Sequence, residues 1–515
     1  MTRGLARGWS VALVGVTGQL VSIEADIGFG LPKFSLLGLP DAALNESRDR
    51  VRAAVINSGE PWPEHKVTVS MSPADLPKRG SRFDLALATI VLAASGEVPA
   101  EGLADRVLLG ELGLDGGLRP LRGVLPAVTA AVRSGIKRVV VPEPNAEEAA
   151  LVDDVEVLGI RSLAQFLAFL RGDEIPDAPP VPGVEPPPGP GPAEVLDLID
   201  VRGQSEARRA LEVAAAGGHH LLLHGAPGSG KTMLASRLPG LLPRLEGRRA
   251  LEVSEIHSVA GLLPPGAPLV EQPPYCQPHH SASLAAMVGG GAAKDLRPGA
   301  ASVAHHGVLF LDEVAEFKPS VLDALRQPLE GGEVVLSRSG VTARFPARFL
   351  LVMAANPCPC GSPSGPRSCT CSSEARRRYA ARLSGPLLDR IDIQVMVDRP
   401  SRHELVNAPD GEGTEVVADR VALARERAAH RLRDTPWSLN TSVSARAMRT
   451  RFAPAADAMA LVEAALDRGA LSARGLAKVL RLAWTLTDLA GHDRPGLDEV
   501  GQALALRAGA GGSWA

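Results

Sequence analysis

Short apolar runs alternate with segments of helical period through the first 175 residues. Val11–Val16, Val67–Ser70 and Arg138–Val141 read as strands, whereas Ala42–Asn57 and Phe83–Ala94 read as helices. Alternation of this kind predicts an α/β domain over residues 1–175. The pattern then breaks at Pro176–Pro192, where 9 of 17 residues are proline. A segment so poor in backbone donors favours extended polyproline conformations and is read as a semi-rigid linker. Beyond it, Leu221–Leu223, Val308–Leu311 and Phe349–Met353 are apolar strand candidates separated by long connections. They predict a parallel sheet covered by helices over residues 193–400. From about Arg402 the period becomes helical. Val417, Val421, Ala424, Ala428 and Leu432 mark one face, and Leu476, Val479, Leu480, Ala483 and Leu486 another. Residues 401–515 are therefore expected to form an all-helical domain.

Composition narrows the class. At 515 residues, two to four domains are expected. Lys plus Arg total 55 against 58 Asp plus Glu, a formal charge of -3, so no global basic field advertises nucleic acid. Aromatics are only 3% of the chain, which argues against a binding surface built from base-stacking rings. The longest apolar stretch, near Leu85–Ala94, is half the roughly 20 residues needed to span a bilayer. The N-terminus reads as a strand and not a signal peptide, and 5 cysteines do not make a disulfide scaffold. A cytoplasmic protein without membrane contact is the expectation.

The strongest chemical signal is GAPGSGKT, spanning Gly225, Ala226, Pro227, Gly228, Ser229, Gly230, Lys231 and Thr232. It follows a strand and precedes a helix-compatible run, the context in which backbone N–H groups curl around phosphate oxygens. Lys231 is expected to reach the β- and γ-phosphates of ATP, and the Thr232 hydroxyl to ligate Mg2+. VLFLDE then supplies the second half of a nucleotide site. Asp312 would hold the Mg2+ shell, and Glu313 would orient or deprotonate the attacking water. Asn356, closing the strand RFLLVMAA, could reach the γ-phosphate and water from a neighbouring strand. Arg390 follows an apolar helix end in LSGPLLDRID, and Arg474 opens a helix in LSARGLAKVL.

Four cysteines, Cys358, Cys360, Cys369 and Cys371, fall within fourteen residues among glycine, serine and proline. Paired thiolates across a short loop suit a structural Zn2+ site, although the spacer within each pair is one residue against the usual two to four. Disulfides are the alternative, disfavoured in a reducing compartment. Cys276 stands apart and reads as a plain thiol. Around SRSG, two β-rich runs predict a hairpin with Arg338 at its tip. That tip suits either a grip on a phosphate backbone or an ordinary solvated turn. Lys294, in VGGGAAKDLRPG, is a second candidate DNA contact, and the Arg376–Arg378 run suits nucleic acid or a neighbour's phosphates equally.

Taken together these stretches resemble the ComM/YifB family of magnesium-chelatase-like AAA+ ATPases. The resemblance extends over nearly the whole chain, through FSLLGLPDAALNESRDRVRAAVINSG, GAPGSGKT, PHHSASLAAMVGGG, VLFLDEVAEF, NPCPCG and LSARGLAKVLRLAWTLTDLAG. It implies a homo-oligomeric ring, a hexamer, with Asn356 as sensor 1, Arg390 as the finger acting on the neighbour's ATP and Arg474 as sensor 2. It also implies that the Arg338 hairpin lines the pore, and that the helical region is a lid on the ATPase domain. The family's association is with branch migration on single-stranded or branched DNA during recombination and natural transformation. The first domain is similar to the proteolytic domain of Lon. In PKRGSRFD, however, Arg82 stands where the nucleophilic serine would be, and GVLPAVTAA has no lysine, so a Ser–Lys dyad is not expected. A chelatase-type motor acting on a protein partner, and an ATP-dependent peptidase, are the alternatives to a DNA translocase.

Overall fold

A computed structural model describes residues 4–38, 42–76, 78, 80–181, 196–264, 266–292, 296–338, 340–360, 369, 371–383, 385–407 and 411–508. The first sheet is built from β1 (Gly4–Val14), β2 (Thr17–Gly28), β3 (Lys33–Leu37), β4 (Lys66–Ser72), β5 (Arg106–Leu108), β6 (Arg138–Pro142) and β7 (Glu156–Ile160), in the order β3-β4-β2-β1-β5-β6-β7. β1 and β2 pair antiparallel from Gly4↔Ile27 to Val14↔Thr17, so the strand read at Val11–Val16 starts earlier and ends in a turn at Gly15. Helix α1 (Ala42–Asn57), α2 (Asp84–Ser95), α3 (Val124–Arg133) and α4 (Leu163–Arg171) cover it. α2 is apolar on every side and is buried along nearly its whole length. Its first residue, Asp84, is tolerated there because Arg50 Nε donates to it at 2.6 Å. Burial pushes the Asp84 carboxyl up, against the hydrogen bonds from Arg50 and Ser47.

The segment after α4 stays on this domain. Gln165 Nε2 donates to the carbonyl of Pro176, and Arg161 Nη1 to that of Ala178. The proline-rich stretch thus begins against the N-terminal domain, and its residues 182–192 lie outside the described residues.

The second sheet has five parallel strands: β8 (Leu221–His224), β9 (Tyr275–Cys276), β10 (Val308–Leu311), β13 (Leu350–Ala355) and β14 (Ile393–Met396). A hairpin of β11 (Glu333–Arg338) and β12 (Val341–Pro346) intervenes in the chain. The sheet order is β9-β10-β13-β8-β14. From β8 the chain runs to the far edge and returns, whereas β14 closes the opposite side. Strand order reverses at β8, and the crevice at its carboxyl end is where such sheets accept ligands.

Alternate residues of these strands point to opposite, equally buried faces. Leu221, Leu223, Phe310 and Val352 face α5 (Ser205–Gly217), α6 (Lys231–Leu241) and the C-terminal helices α9 (Thr414–Leu432), α10 (Ala456–Asp467), α11 (Ala473–Ala490) and α12 (Leu497–Ala508). Leu222, Leu309, Leu351 and Met353 face Phe317, Leu322 and Leu387. The helical region shares one continuous core with the sheet, through Val417, Val479, Leu480 and Trp484. Two further helices matter below: α7 (Gly247–Ala260), against which α3 of the first domain packs, and α8 (Ser373–Ala380). The β1–β2 turn also rests on β12, where a Cβ at Gly15 would lie 2.9 Å from the Arg344 carbonyl oxygen. No helix among the described residues is long and apolar enough to cross a membrane.

Candidate nucleotide site

β8 ends at His224 and the glycine-rich loop turns at once into α6. Gly228 and Gly230 have φ of 73° and 94°, a region in which glycine alone is comfortable. Gly225 is pinned: its N–H donates to Ala355 O at 3.2 Å, and a Cβ there would lie 2.2 Å from Val397 O. The loop therefore runs between the ends of β13 and β14. Lys231, the first residue of α6, is buried, and its ammonium donates to the carbonyls of Gly225 (2.7 Å) and Ala226 (3.0 Å) and to Asn356 Oδ1 (3.2 Å). Burial lowers its pKa, against the raising effect of Asp312 and Glu313.

The Thr232 hydroxyl donates to Asp312 Oδ2 at 2.8 Å, across from the end of β10. Glu313 follows with φ 48°, its N–H bonded to Asp312 Oδ1 at 2.9 Å. This left-handed kink turns the glutamate away from the strand line, and His280 Nδ1 lies 3.5 Å from its carboxylate. Lys231, Thr232, Asp312, Glu313 and Asn356 thus converge from three loops at the carboxyl edge of the sheet. The arrangement pairs a glycine-rich loop at a helix N-terminus with a hydroxyl and a carboxylate suited to Mg2+, and with a second carboxylate able to act on water. ATP with Mg2+ is the group these residues fit.

Arg390 and Arg474 lie together elsewhere. Arg390 pairs with Glu330 and bonds the Pro386 carbonyl, and Arg474 Nη1 is 3.2 Å from Asp389 Oδ2. Burial lowers the Arg390 pKa, reinforced by Arg326 and Arg474. Among the described contacts neither arginine touches Lys231, Asp312 or Glu313. Arg338 is exposed at the end of β11, whereas Lys294 falls outside the described residues.

The four cysteines are not joined by disulfides, and their sulfurs lie within 4.8 Å of one another, with Cys358 and Cys360 at 3.1 Å and Cys360 and Cys369 at 3.7 Å. Four thiolates about 2.3 Å from a tetrahedral ion are about 3.8 Å apart, so the constellation fits Zn2+. Burial, with hydrogen bonding to Cys360, pushes the Cys358 thiol up to about 12. Glu252, His305 and His306 form a second cluster. There the Arg348 N–H donates to His305 Nδ1 at 2.9 Å, which places the ring proton on Nε2, facing Glu252. That nitrogen has no lone pair for a metal; it stands 3.5 Å from Glu252 without a hydrogen bond, while His306 Nε2 meets the same carboxylate at 3.4 Å.

In the first domain Arg82 donates to Arg122 O, Ser81 to Glu111 and Lys78 to Pro73 O. No described contact joins Ser81 to a lysine. Two residues that contact the phosphate loop, Gln204 and Arg399, were not singled out by the sequence. Each reaches it from far along the chain, and neither sits in a spacing that signals this.

Comparison with known proteins supplies independent findings. Residues 197–405 match the family model described as magnesium chelatase, subunit ChlI, residues 23–145 that of subunit ChlI of Mg-chelatase, and residues 411–507 that of the ChlI C-terminal region. An uncharacterised protein of Mycobacterium tuberculosis is 54% identical over 508 residues, 98% of each chain. The competence protein ComM of Haemophilus influenzae is 41% identical over 98% of this chain and 97% of its own. YifB of Escherichia coli is 40% identical over 96% of both. A Lon protease of Trichlorobacter lovleyi is 25% identical over 30% of this chain and 20% of its own, a weak and local likeness.

Proposed function

The chain belongs to the ComM/YifB family of magnesium-chelatase-like AAA+ proteins, and from that membership and the site geometry we infer that it is an ATPase that drives movement on DNA. The observation that carries the ATPase reading is the convergence at one strand edge of Lys231 with Asn356, and of Thr232 with Asp312 at 2.8 Å. Backbone donors and Lys231 bind and orient the phosphates, Thr232 and Asp312 would hold Mg2+, which neutralises phosphate charge, and Glu313 orients water for in-line attack. Asn356 holds its amide oxygen against Lys231 and would sense the terminal phosphate.

The DNA reading is supported by the likeness to ComM and by an exposed arginine at the end of a regular β-hairpin beside the ATPase core. A ring, a hexamer, would bring six such tips to one axis and let Arg390 of one subunit act on a neighbour's nucleotide. The four-cysteine cluster, which begins two residues beyond Asn356, would be a structural zinc clip. The decisive experiment measures ATP hydrolysis with and without single-stranded and four-way-junction DNA, with Glu313→Gln as control. Turnover is expected to rise with DNA and to fall about 10²–10⁴-fold in the variant. DNA that neither binds nor stimulates would sink the translocase reading and leave a chelatase-type motor on a protein partner. Metal analysis of wild type against Cys358→Ser tests the clip, and equal zinc content would remove it.

A further inference from the structure

We propose that Gln204 and Arg399 are positioning residues for ATP binding, a two-sided clamp that holds the carbonyls of the phosphate loop outward so that its N–H groups face the phosphates. The proposal rests on the ATPase reading of this site and adds two residues that the phosphate-loop signature does not contain.

A loop that cradles anions must turn successive N–H groups inward, which forces its carbonyls outward. Those carbonyls then need donors of their own, because a buried or half-buried carbonyl without one is costly. In this loop nearly every carbonyl has such a donor. Lys231 takes Gly225 and Ala226, and the amide of Leu234 takes Gly230. Arg399 Nη2 donates to Pro227 O at 2.6 Å, and Gln204 Nε2 donates to Ser229 O at 2.5 Å. These last two donors come from opposite directions, 172 residues after and 25 residues before their partners.

The difference between the donors is what each does when nucleotide arrives. Lys231 must leave its carbonyls to reach the phosphates. Gln204 and Arg399 have no such second task, and their grip on the loop persists. Gln204 is built for the position. It adopts φ 52°, ψ 42°, a left-handed conformation that a glutamine seldom takes, at the N-terminal boundary of α5. The turn aims its amide at the loop, where Nε2 also reaches Asp398 O at 3.3 Å and would stand 3.2 Å from a Cβ at Gly230. Arg399 lies in the segment Val397–Arg399, which packs on Gly225 and leads directly from β14 into the C-terminal helices. The clamp is thereby closed by one residue ahead of the sheet and one on the hinge to the lid, so a lid movement that drags residues 397–399 would loosen the loop.

The test uses the full chain and measures binding of a fluorescent ATP analogue together with steady-state KM and kcat. Gln204→Met keeps side-chain length, Arg399→Met keeps most of the aliphatic stem, and both remove the donors. Affinity is expected to fall about 3- to 10-fold for Gln204→Met and about 10-fold or more for Arg399→Met, because the second donor is charged. KM should rise in step while kcat at saturating ATP changes less than about twofold, and Arg399→Lys should recover part of the loss. Thermal melting of each variant is followed in parallel, and a variant that melts as wild type and still loses affinity supports the clamp. Unchanged affinity in both variants would overturn it, and so would a fall in kcat at unchanged KM, which places Arg399 on the reacting phosphates instead. Lys231→Ala separates the premise from the proposal: if that variant binds nucleotide as wild type, the ATPase reading fails; if it loses binding while both methionine variants keep it, the clamp alone fails.

Discussion

Replacing Lys478 by methionine should destabilise the junction between sheet and lid more than any surface change of equal size. Lys478 lies one helical turn beyond Arg474 on α11, with its ammonium buried between Ile391 O at 2.8 Å and Asp392 Oδ1 at 3.2 Å. Burial lowers its pKa to about 8, against the pull of Asp392, so it is charged at pH 7. Asp392 is itself buried, and desolvation works against its charge. The hydrogen bond from His219 and the charge of Lys478 outweigh that and hold its carboxyl below the usual range. Without Lys478 this carboxylate keeps His219 Nδ1 and the His220 N–H, both at 3.4 Å and long for hydrogen bonds, together with the more distant charges of Arg481 and Arg507. Breaking one side of a buried pair costs about 3–5 kcal/mol, because a desolvated charge is left behind. At about 2–4 °C per kcal/mol for a large domain, the melting temperature should fall by roughly 10 °C. Differential scanning calorimetry on the full chain reads this directly. Adding Asp392→Asn removes the stranded charge and should restore about half the loss, so the coupling in the double-mutant cycle is at least that large. A single variant melting within about 2 °C of wild type would refute the reasoning, as would a double variant less stable than the single.

Gly225→Ala should abolish tight ATP binding while leaving the fold intact. Its Cβ would meet Val397 O at 2.2 Å and Ser229 Oγ at 2.6 Å, so the loop must shift, and a shift of about 1 Å costs about 10²-fold in kcat/KM. Steady-state kinetics with calorimetric titration of ADP checks it. Acid should destabilise the sheet through His220, which burial holds neutral with a pKa of about 4 and whose Nδ1 accepts the Leu351 N–H at 3.1 Å. The unfolded chain takes up this proton near pH 6.5 and the folded chain does not, so the stabilisation is complete above 6.5 and is lost as pH falls toward 4. Urea unfolding at pH 7 and pH 5 should differ by about 2 kcal/mol from this residue alone. His220→Asn keeps an acceptor for Leu351 without a titrating ring and should flatten that dependence; an unchanged slope would assign it elsewhere.

Much of the fold and the phosphate end of the site could be read from the chain, for a physical reason. Lys231, Thr232, Asp312, Glu313 and Asn356 each sit at a fixed offset from a buried strand, so local pattern and position in the fold coincide. β9 escaped notice because it is two residues long and lies among prolines. Gln204 and Arg399 were invisible for the opposite reason: ordinary polar residues locally, they gain a role only when β14 is laid beside β8. The lid offers a third case. Its helices were legible from period alone, yet they close on the sheet as well as on one another, and the core they share with Leu221 and Val352 is a property of three-dimensional proximity.

The turn between β1 and β2 carries a lesson about how such a chain can change over generations. Ser81 and Arg82, where a peptidase would keep its nucleophile, answer only to internal bonding with Glu111 and the Arg122 carbonyl, whereas Phe83 and Asp84 beside them are buried in the core. Gly15 has no such latitude, since any side chain would press on the Arg344 carbonyl of the hairpin strand. The first domain is therefore held to the second by a seam that does not depend on any chemistry at Ser81 or Arg82. Shortened copies of the gene that begin after the linker would be selected against for the surface they uncover on α7 and β12, whatever became of hydrolysis.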